Sequence, residues 1–397
     1  MRVSILPLEE AGVPGGVQAL RSKVYAHFTE AHEAEWHAAV YDWIYTHPLA
    51  EHIHRWVAVA DGEVVGHLAA IPQYYRIGGE RVIAYTPADH MSLSESGLAG
   101  FSLLRKFYST VDNHVSFDMV PAIIAMERRI GAQPAGQFDY AAKLLDVSQL
   151  PVPPLPASLD RALGLQKSGG AARGYGEDDS GQADGPPPVR PRLPIPAPAV
   201  RGLNGLLRSV DGGLSRIFCG GAKVVETQEF DESFDLFFEK VAAAVECVPE
   251  KDAAFLRWRY GPGSPQHPVM VLTVREGAEL VGYAVLRVTR ETMQGLREAN
   301  ILDLTVLPGR QDAARGLLAE SVKRFRKAGA PVVRYRFSPS PVSVAASDLR
   351  RLGFFKRAGR SHTLLVNFKD SRLHELASEI GNWSCNLGDG EATFWVT

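Results

Sequence analysis

Residues 60–69 read ADGEVVGHLA, and residues 275–284 read REGAELVGYA. In each, β-branched and apolar residues flank a DG or EG pair, the composition of a tight hairpin. The likeness extends in both directions. Trp43 opens WIYTHP 23 residues before Gly66, and Trp258 opens WRYGPG 24 residues before Gly282. Asp89, Leu93, Leu103 and Leu104 return as Asp303, Leu307, Leu317 and Leu318 at a constant offset of 214. RRIGAQPAG from Arg128 then echoes RRLGFFKRAG from Arg350, after a further shift of eight. Ordered correspondences with few gaps indicate an internal duplication.

Each copy reads alike. A helical region comes first (Gly16 to Val40; Asp231 to Tyr260), then the hairpin with its turn at Asp61-Gly62 or Glu276-Gly277. A further strand follows (Val82 to Leu93; Asn300 to Leu307). A small-residue loop then opens a helix with paired leucines on its apolar face (Phe101 to Thr110; Ala314 to Lys327). A strand (Val115 to Met119; Val332 to Phe337), a helix stopped by glycine after its arginines, and a last strand close the unit. The class is α/β with a mixed sheet.

Between the copies, residues 151–200 hold 11 prolines and 7 glycines and few large apolar side chains. Such a stretch cannot offset its ordering entropy by burial. It divides the chain into an N-terminal unit 1–150, a flexible linker or insertion 151–200, and a C-terminal unit 201–397 with a Trp-containing tail. At 397 residues the chain suits two to three domains of roughly 150 residues. Its formal charge of -2 speaks against a dedicated DNA binder. Cys219, Cys247 and Cys385 form neither a disulfide framework nor a metal clip. With no signal-like N-terminus and no run of about 18 apolar residues, a soluble cytoplasmic protein is expected.

The order of elements, the DGEVVGH hairpin, the small residues before an LL helix and the closing RRIG resemble the GCN5-related N-acetyltransferase (GNAT) superfamily. Both halves resemble it, in the manner of tandem GNAT proteins. FLRWRY, LVGYAV and the Trp-containing tail look most like bacterial GNATs linked to polysaccharide or amino-sugar modification. The resemblance implies two twisted mixed sheets flanked by helices, each splayed between its fourth and fifth strands, with acetyl-CoA in the gap.

A pyrophosphate wants converging backbone N–H groups and the positive end of a helix dipole, with small residues so that no Cβ holds it off. The family's Arg/Gln-x-x-Gly-x-Gly/Ala is matched in part by Ser94-Glu95-Ser96-Gly97-Leu98-Ala99, which lacks the Arg or Gln. It is matched again in part by Gln311-Asp312-Ala313-Ala314-Arg315-Gly316, with Ala at the middle Gly. The expected cofactor-binding residues are therefore Ser96, Gly97, Leu98, Ala99 and Gly100 in one copy. In the other they are Gln311, Ala314, Arg315 and Gly316.

Amine acetylation needs a proton acceptor and a donor to the thioester oxygen. In the resemblance both lie on strand four, where Asp89 and His90 stand in the first copy and Asp303 and Leu304 in the second. Asp89 or His90 is the expected base; the alternative has Asp89 and Asp303 as structural residues paired with a neighbouring arginine. The family's thiolate-protonating tyrosine is missing from both PAIIAMERRIG and SVAASDLRR.

His32-Glu33-Ala34-Glu35-Trp36-His37 is one residue too long for HExxH, and His52 and His54 lack a third ligand, so no metal is expected. Residues 321–372 carry 13 Lys+Arg against Asp348 and Asp370, either a solvated face or an attraction for an anionic partner. Trp383 and Trp395 read as core or sheet-edge residues. The expected activity is acyl transfer from acetyl-CoA to an amine of a small molecule or amino sugar, with a homodimer as a candidate assembly. Two alternatives are a Fem-type transferase using aminoacyl-tRNA, and a degenerate ligand-binding scaffold.

Overall fold

The computed structural model describes residues 3–25, 33–149, 195–219, 221–289, 297–357 and 361–394. The chain runs β1 (Ser4–Pro7), α1 (Gly16–Val24), α2 (Glu33–Ile44), β2 (His54–Ala60), β3 (Glu63–Ile77), β4 (Glu80–Ser92) and α3 (Ala99–Thr110). Then come β5 (Asn113–Asp118), α4 (Pro121–Ile130), β6 (Gln133–Gln137) and β7 (Asp139–Leu144). Residues 150–194, most of the expected linker, lie outside the described residues. Helix α5 (Ala197–Phe218) begins within the last residues of the expected linker, 151–200.

After α5 the chain continues with β8 (Val224–Thr227), α6 (Ser233–Ala242), β9 (Cys247–Pro249), α7 (Ala253–Tyr260), β10 (Met270–Glu276), β11 (Glu279–Val288) and β12 (Ala299–Val306). It ends with α8 (Gln311–Lys327), β13 (Val332–Phe337), α9 (Ala346–Arg351), β14 (Phe355–Lys356), β15 (Thr363–Phe368) and α10 (Ser371–Ala377). The helical region expected over Asp231 to Tyr260 is broken by β9, whose residues pair with the far end of β3, Tyr75 opposite Pro249. That pairing is a tertiary event which local pattern does not signal.

The strands form two mixed sheets. The first has the order β1-β2-β3-β4-β5-β15-β6 with β9 on β3; the second is β14-β7-β13-β12-β11-β10-β8. Each contains one parallel pair, β4 with β5 and β12 with β13. The expected single closing strand is in fact two per copy, and they cross over. β15 enters the first sheet between β5 and β6, and β7 enters the second between β13 and β14. Each sheet is completed by a strand from the other side of residues 150–194.

The repeated glycines explain the close packing. A Cβ on Gly66 would come within 2.9 Å of Leu103 Cδ1, and one on Gly282 within 2.8 Å of Val306 and 3.3 Å of Leu317. Only glycine lets the paired-leucine helices α3 and α8 lie that near the sheet. α3 covers the face bearing Trp56, Ala58 and Val65, while α1 covers the opposite face at Val57 and Val64. α8 and α6–α7 cover the two faces of the second sheet in the same manner.

The two tryptophans of the repeat meet. Trp43 and Trp258 stack with centroids 4.4 Å apart at 8°. The Trp43 indole N–H donates to Trp258 O (2.8 Å), and the Trp258 N–H donates to Trp43 O (3.2 Å). Trp383, fully buried beside Tyr75, is a core residue; Trp395 lies outside the described residues.

Because an interior strand of each sheet is donated by the other half, fragments 1–150 and 201–397 should each fail to fold alone. Co-expressed, they should form a stable complex. Circular dichroism and size exclusion check this, and cooperative unfolding of either isolated fragment would count against it.

Candidate active site

The site grows from an irregularity in β4. The pairing of β3 with β4 shifts register between His67 and Ala69, and Asp89 adopts φ 51°. An extra residue in one strand makes a bulge, which re-aims side chains next to it. Asp89 is thereby turned toward α1 and α2, while His90 faces α3.

Asp89 is buried and surrounded by donors. His37 Nε2 and Tyr41 OH each lie 2.9 Å from Oδ2, His67 Nδ1 lies 3.1 Å from the same oxygen, and Arg21 Nη1 lies 3.4 Å from Oδ1. The tautomers follow from the partners. Arg55 Nε–H donates to His67 Nε2 at 3.2 Å, so the His67 proton sits on Nδ1. Gln18 Nε2 lies 2.9 Å from His37 Nδ1, which leaves the His37 proton on Nε2, facing the carboxylate. Burial by itself would raise the Asp89 carboxyl; the His37 and His67 donors outweigh it and hold it below the ordinary carboxylate range.

His37 and Tyr41 are also the floor of an open cleft of about 550 Å³, walled by residues from Leu8 to Gln18 and by Asp42, Tyr45 and Arg55. Its size is that of a small-molecule site.

On the other face, His90 Nε2 lies 3.1 Å from Gly100 O, under the first turn of α3. Its Nδ1 is buried with no hydrogen-bond partner among the described residues, and burial pushes the imidazole down to about 4. The loop ahead of α3 holds all five residues expected there. Ser96 ends a 3-10 turn, Gly97 has φ 63°, Leu98 precedes the helix, and Ala99 and Gly100 open it. No side chain caps α3 and its first turn has no acidic residue, so its leading N–H groups remain available. A Cβ on Gly97 would meet open space, but its positive φ favours glycine.

Beside this loop the first sheet splays. β4 and β5 pair only at Tyr85 opposite His114, so among the described residues the β4 edge from Thr86 to Ser92 has no strand partner on that side. The turn Glu391–Phe394 lies against both strands. It helps to enclose a small cavity of about 20 Å³ lined by His47, Gln73, Thr86 and Arg259, room for about one water.

The second sheet repeats the plan with the gap closed. Its bulge lies near Asp303, where the β11–β12 register shifts. Asp303 accepts from Lys251, Tyr283, Thr305 and Asn386. Asn386 belongs to the tail, which runs along β13: Phe337 bridges Asn386, and Ser338 N donates to Cys385 O at 2.9 Å. Val306 N donates to Val342 O.

The residues expected to bind cofactor here have other partners. Gln311 spans Ser343 O and Ala345 N, and Arg315 bonds Phe218 O and Asp348. Ala314 is buried in the core, and Gly316 packs against Ala222. Asp312 adds a carboxylate to the first turn of α8.

A second buried polar network joins β5, α3 and α4. Ser116 Oγ donates to Glu127 Oε2 (3.0 Å) and lies 3.0 Å from His114 Nε2, and Tyr108 OH lies 3.2 Å from His114 Nδ1. Burial, reinforced by the charge of Asp118, pushes Glu127 up to about 8.

Sequence reasoning singled out Asp89 and His90 but missed what surrounds them. His37 and Tyr41, four apart on α2, share a helix face, which was the available signal. Arg21 and His67 carried none. His32 lies outside the described residues; His54 stacks beside Trp56, and His52 lies beside Glu51. Among the described residues no group of His, Cys, Asp and Glu could hold a metal ion, and no helix is long and apolar enough to cross a membrane.

No family model and no curated protein matches the sequence, but solved structures match the fold. A GCN5-related N-acetyltransferase from Anabaena variabilis superposes with TM-score 0.52 and 11% identity, over 93% of this chain and 73% of that one. One from Kribbella flavida gives 0.52 and 11%, over 92% and 71%. Saccharomyces cerevisiae N-myristoyltransferase with bound myristoyl-CoA gives 0.51 and 10%, over 92% and 82%. The fold is thus one shared with GCN5-related N-acetyltransferases and N-myristoyltransferases.

Two stability measurements check the electrostatics. Asp89→Asn removes the charge that its donors and Arg21 are built around, and should cost about 3–5 kcal/mol in urea unfolding near neutral pH. Glu127 is raised in the folded state, so the unfolded chain releases this proton first as pH rises. Its contribution therefore falls between the ordinary carboxylate range and about 8. Glu127→Gln should flatten that decline, and an unchanged pH–stability curve would contradict the assignment.

Proposed function

We propose that the chain is an acyl-CoA-dependent N-acyltransferase, with acetyl-CoA the default donor, working in the splayed first sheet. In this reading it is a tandem of two GNAT-like copies, the second of which is closed by the C-terminal tail and serves as scaffold. The observation that carries the proposal is the convergence along Asp89–Gly100. Within it a bulge turns Asp89 to His37 and Tyr41, which line an open cleft, a sheet edge without a strand partner among the described residues follows, and an uncapped helix start lies beyond.

The residues present fit the donor. The N–H groups of Leu98 to Phe101 would hold a pyrophosphate with the favourable end of the α3 dipole, and Gly97 leaves it room. The buried, unfilled acceptor His90 Nδ1 suits an amide N–H of the pantetheine arm. When bound, acyl-CoA supplies the activated thioester. The free β4 edge offers backbone N–H groups to a developing oxyanion.

On the cleft side, His37 is the proton acceptor. Asp89, held ionised by its donors, is too weak a base for an ammonium, but it fixes the His37 tautomer and stabilises the imidazolium that forms. This is the division of labour in a His–Asp pair. The Nδ1 lone pair that now faces Gln18 is the one that takes the amine's proton. Glu9 and Asp42 on the cleft wall outweigh Arg55 and favour a cationic acceptor, consistent with an amine of a small molecule or amino sugar.

Calorimetric titration of acetyl-CoA should give one saturable site per chain. Gly97→Asp should abolish it by repulsion and strain, whereas Gln311→Ala should leave it unchanged. His37→Gln should lower kcat with a responsive amine by about 100-fold or more with acetyl-CoA affinity unchanged. No binding at millimolar acetyl-CoA would overturn the proposal, and equal loss of affinity in the His37 variant would remove His37 from its role.

A further inference from the structure

The basic bias of residues 321–372 is not used by the first-sheet cleft, and part of it gathers at one place. β7 lies between β13 and β14 in the second sheet. Arg336 on β13 is directly opposite Tyr140 on β7, and Arg357, just past β14, donates its backbone N–H to Tyr140 O on the other side (2.8 Å). Opposed residues of neighbouring strands share a face. Arg336, Tyr140 and Arg357 therefore form a row across three strands, on the face away from α8, which Val333, Tyr335 and Phe337 cover.

Both guanidiniums turn to the central ring, Arg336 Cζ 4.2 Å and Arg357 Cζ 5.6 Å from its centroid. Arg357 Nη1 also lies 3.4 Å from Tyr140 OH. Neither arginine has a carboxylate partner among the described residues. The neighbouring Glu298 is paired with Arg334. Among the described residues Arg336 Nε is buried without a hydrogen-bond partner, as is Nδ1 of His362, which is 3% exposed and whose backbone O accepts from Phe138 N, two residues before Tyr140. A half-buried guanidinium such as Arg336, with a donor left without an acceptor, is costly unless an anion meets it, and the exposed Arg357 beside it adds a second positive charge.

We propose that Arg336 and Arg357, with Tyr140 and His362, form a binding site for a small phosphate-bearing ligand, separate from the first-sheet cleft. Arginine's planar fork suits phosphate oxygens bidentately. The two cations are separated by roughly 10 Å of sheet, two strand spacings, and both lean inward over Tyr140. That span fits one phosphate or diphosphate better than the extended backbone of a nucleic acid. The site does not depend on the acyltransferase reading.

The probe is inorganic pyrophosphate, titrated calorimetrically into the full chain carrying Gly97→Asp, which takes the α3 loop out of play. Saturable binding is expected. It should weaken at least ten-fold in Arg336→Ala/Arg357→Ala and by a smaller factor in Arg336→Lys/Arg357→Lys, which keeps the charges and loses the fork. No binding at roughly 10 mM, or binding that the alanine pair does not alter, overturns the site. So does a parallel loss of acetyl-CoA affinity when the alanine pair is made in the Gly97 chain, which would make these arginines part of the acyl-donor site. A single-stranded oligonucleotide that binds much more tightly than pyrophosphate, and is lost in the alanine pair, overturns the small-ligand assignment in favour of nucleic acid.

Discussion

Everything in this molecule is positioned by the way its two sheets are tied together. The stacked pair Trp43 and Trp258, each indole N–H donating to the other's carbonyl oxygen, is a self-complementary contact of the kind a local two-fold axis produces. Such a contact has few alternative geometries, because both rings and both hydrogen bonds must be satisfied at once. The exchange of β7 and β15 strengthens the same arrangement. An interior strand makes ladder hydrogen bonds on both edges, so withdrawing it would expose two unpaired edges.

With the halves held in this way, the tail has one course open to it. It leaves α10, buries Trp383 against Tyr75, and runs along β13 to place Asn386 on Asp303 and Asp389 near Lys251. One sheet thereby has its gap filled, while in the other the last turn of the tail, Glu391–Phe394, lies against β4 and β5 without pairing as a strand. The aspartates Asp89 and Asp303 occupy like positions on like bulges, and both are saturated with donors. They differ in what lies beyond those donors: an open cleft for Asp89 and protein for Asp303. Asymmetry between the halves thus comes from the chain terminus rather than from the strands themselves.

Saturation also decides what kind of chemistry Asp89 can do. A carboxylate that accepts from two imidazoles, a phenol and a guanidinium is stabilised as the anion, which makes it a poor proton acceptor and a good orienting charge. In the proposed reaction the imidazole between it and the cleft takes the acid–base work. On the opposite face, burial without a charged partner drives His90 toward the neutral form, leaving a lone pair under the first turn of α3. Adjacent residues on one bulged strand are tuned differently because the bulge sends them to different faces.

Much of this was legible in the residues. The hairpin turns, the glycines under the paired leucines, the repeat offset and the small-residue loop before α3 are local or periodic features. They led to two mixed α/β sheets and to Asp89, His90 and the Ser96–Gly100 loop. His37, Tyr41 and Arg21 were not legible as partners of Asp89, because they come from helices 45 or more residues upstream and only packing brings them together. The exchange of β7 and β15 was hidden for the same reason. A strand's sequence records which of its faces is buried but not which chain segment lies beside it. The sequence by itself thus determined the elements and their order, since these follow from short-range sterics and hydrophobic period. Only the tertiary structure decided strand partners, the open and the closed gap, and the donors around Asp89, because those depend on long-range contacts with no signature along the chain.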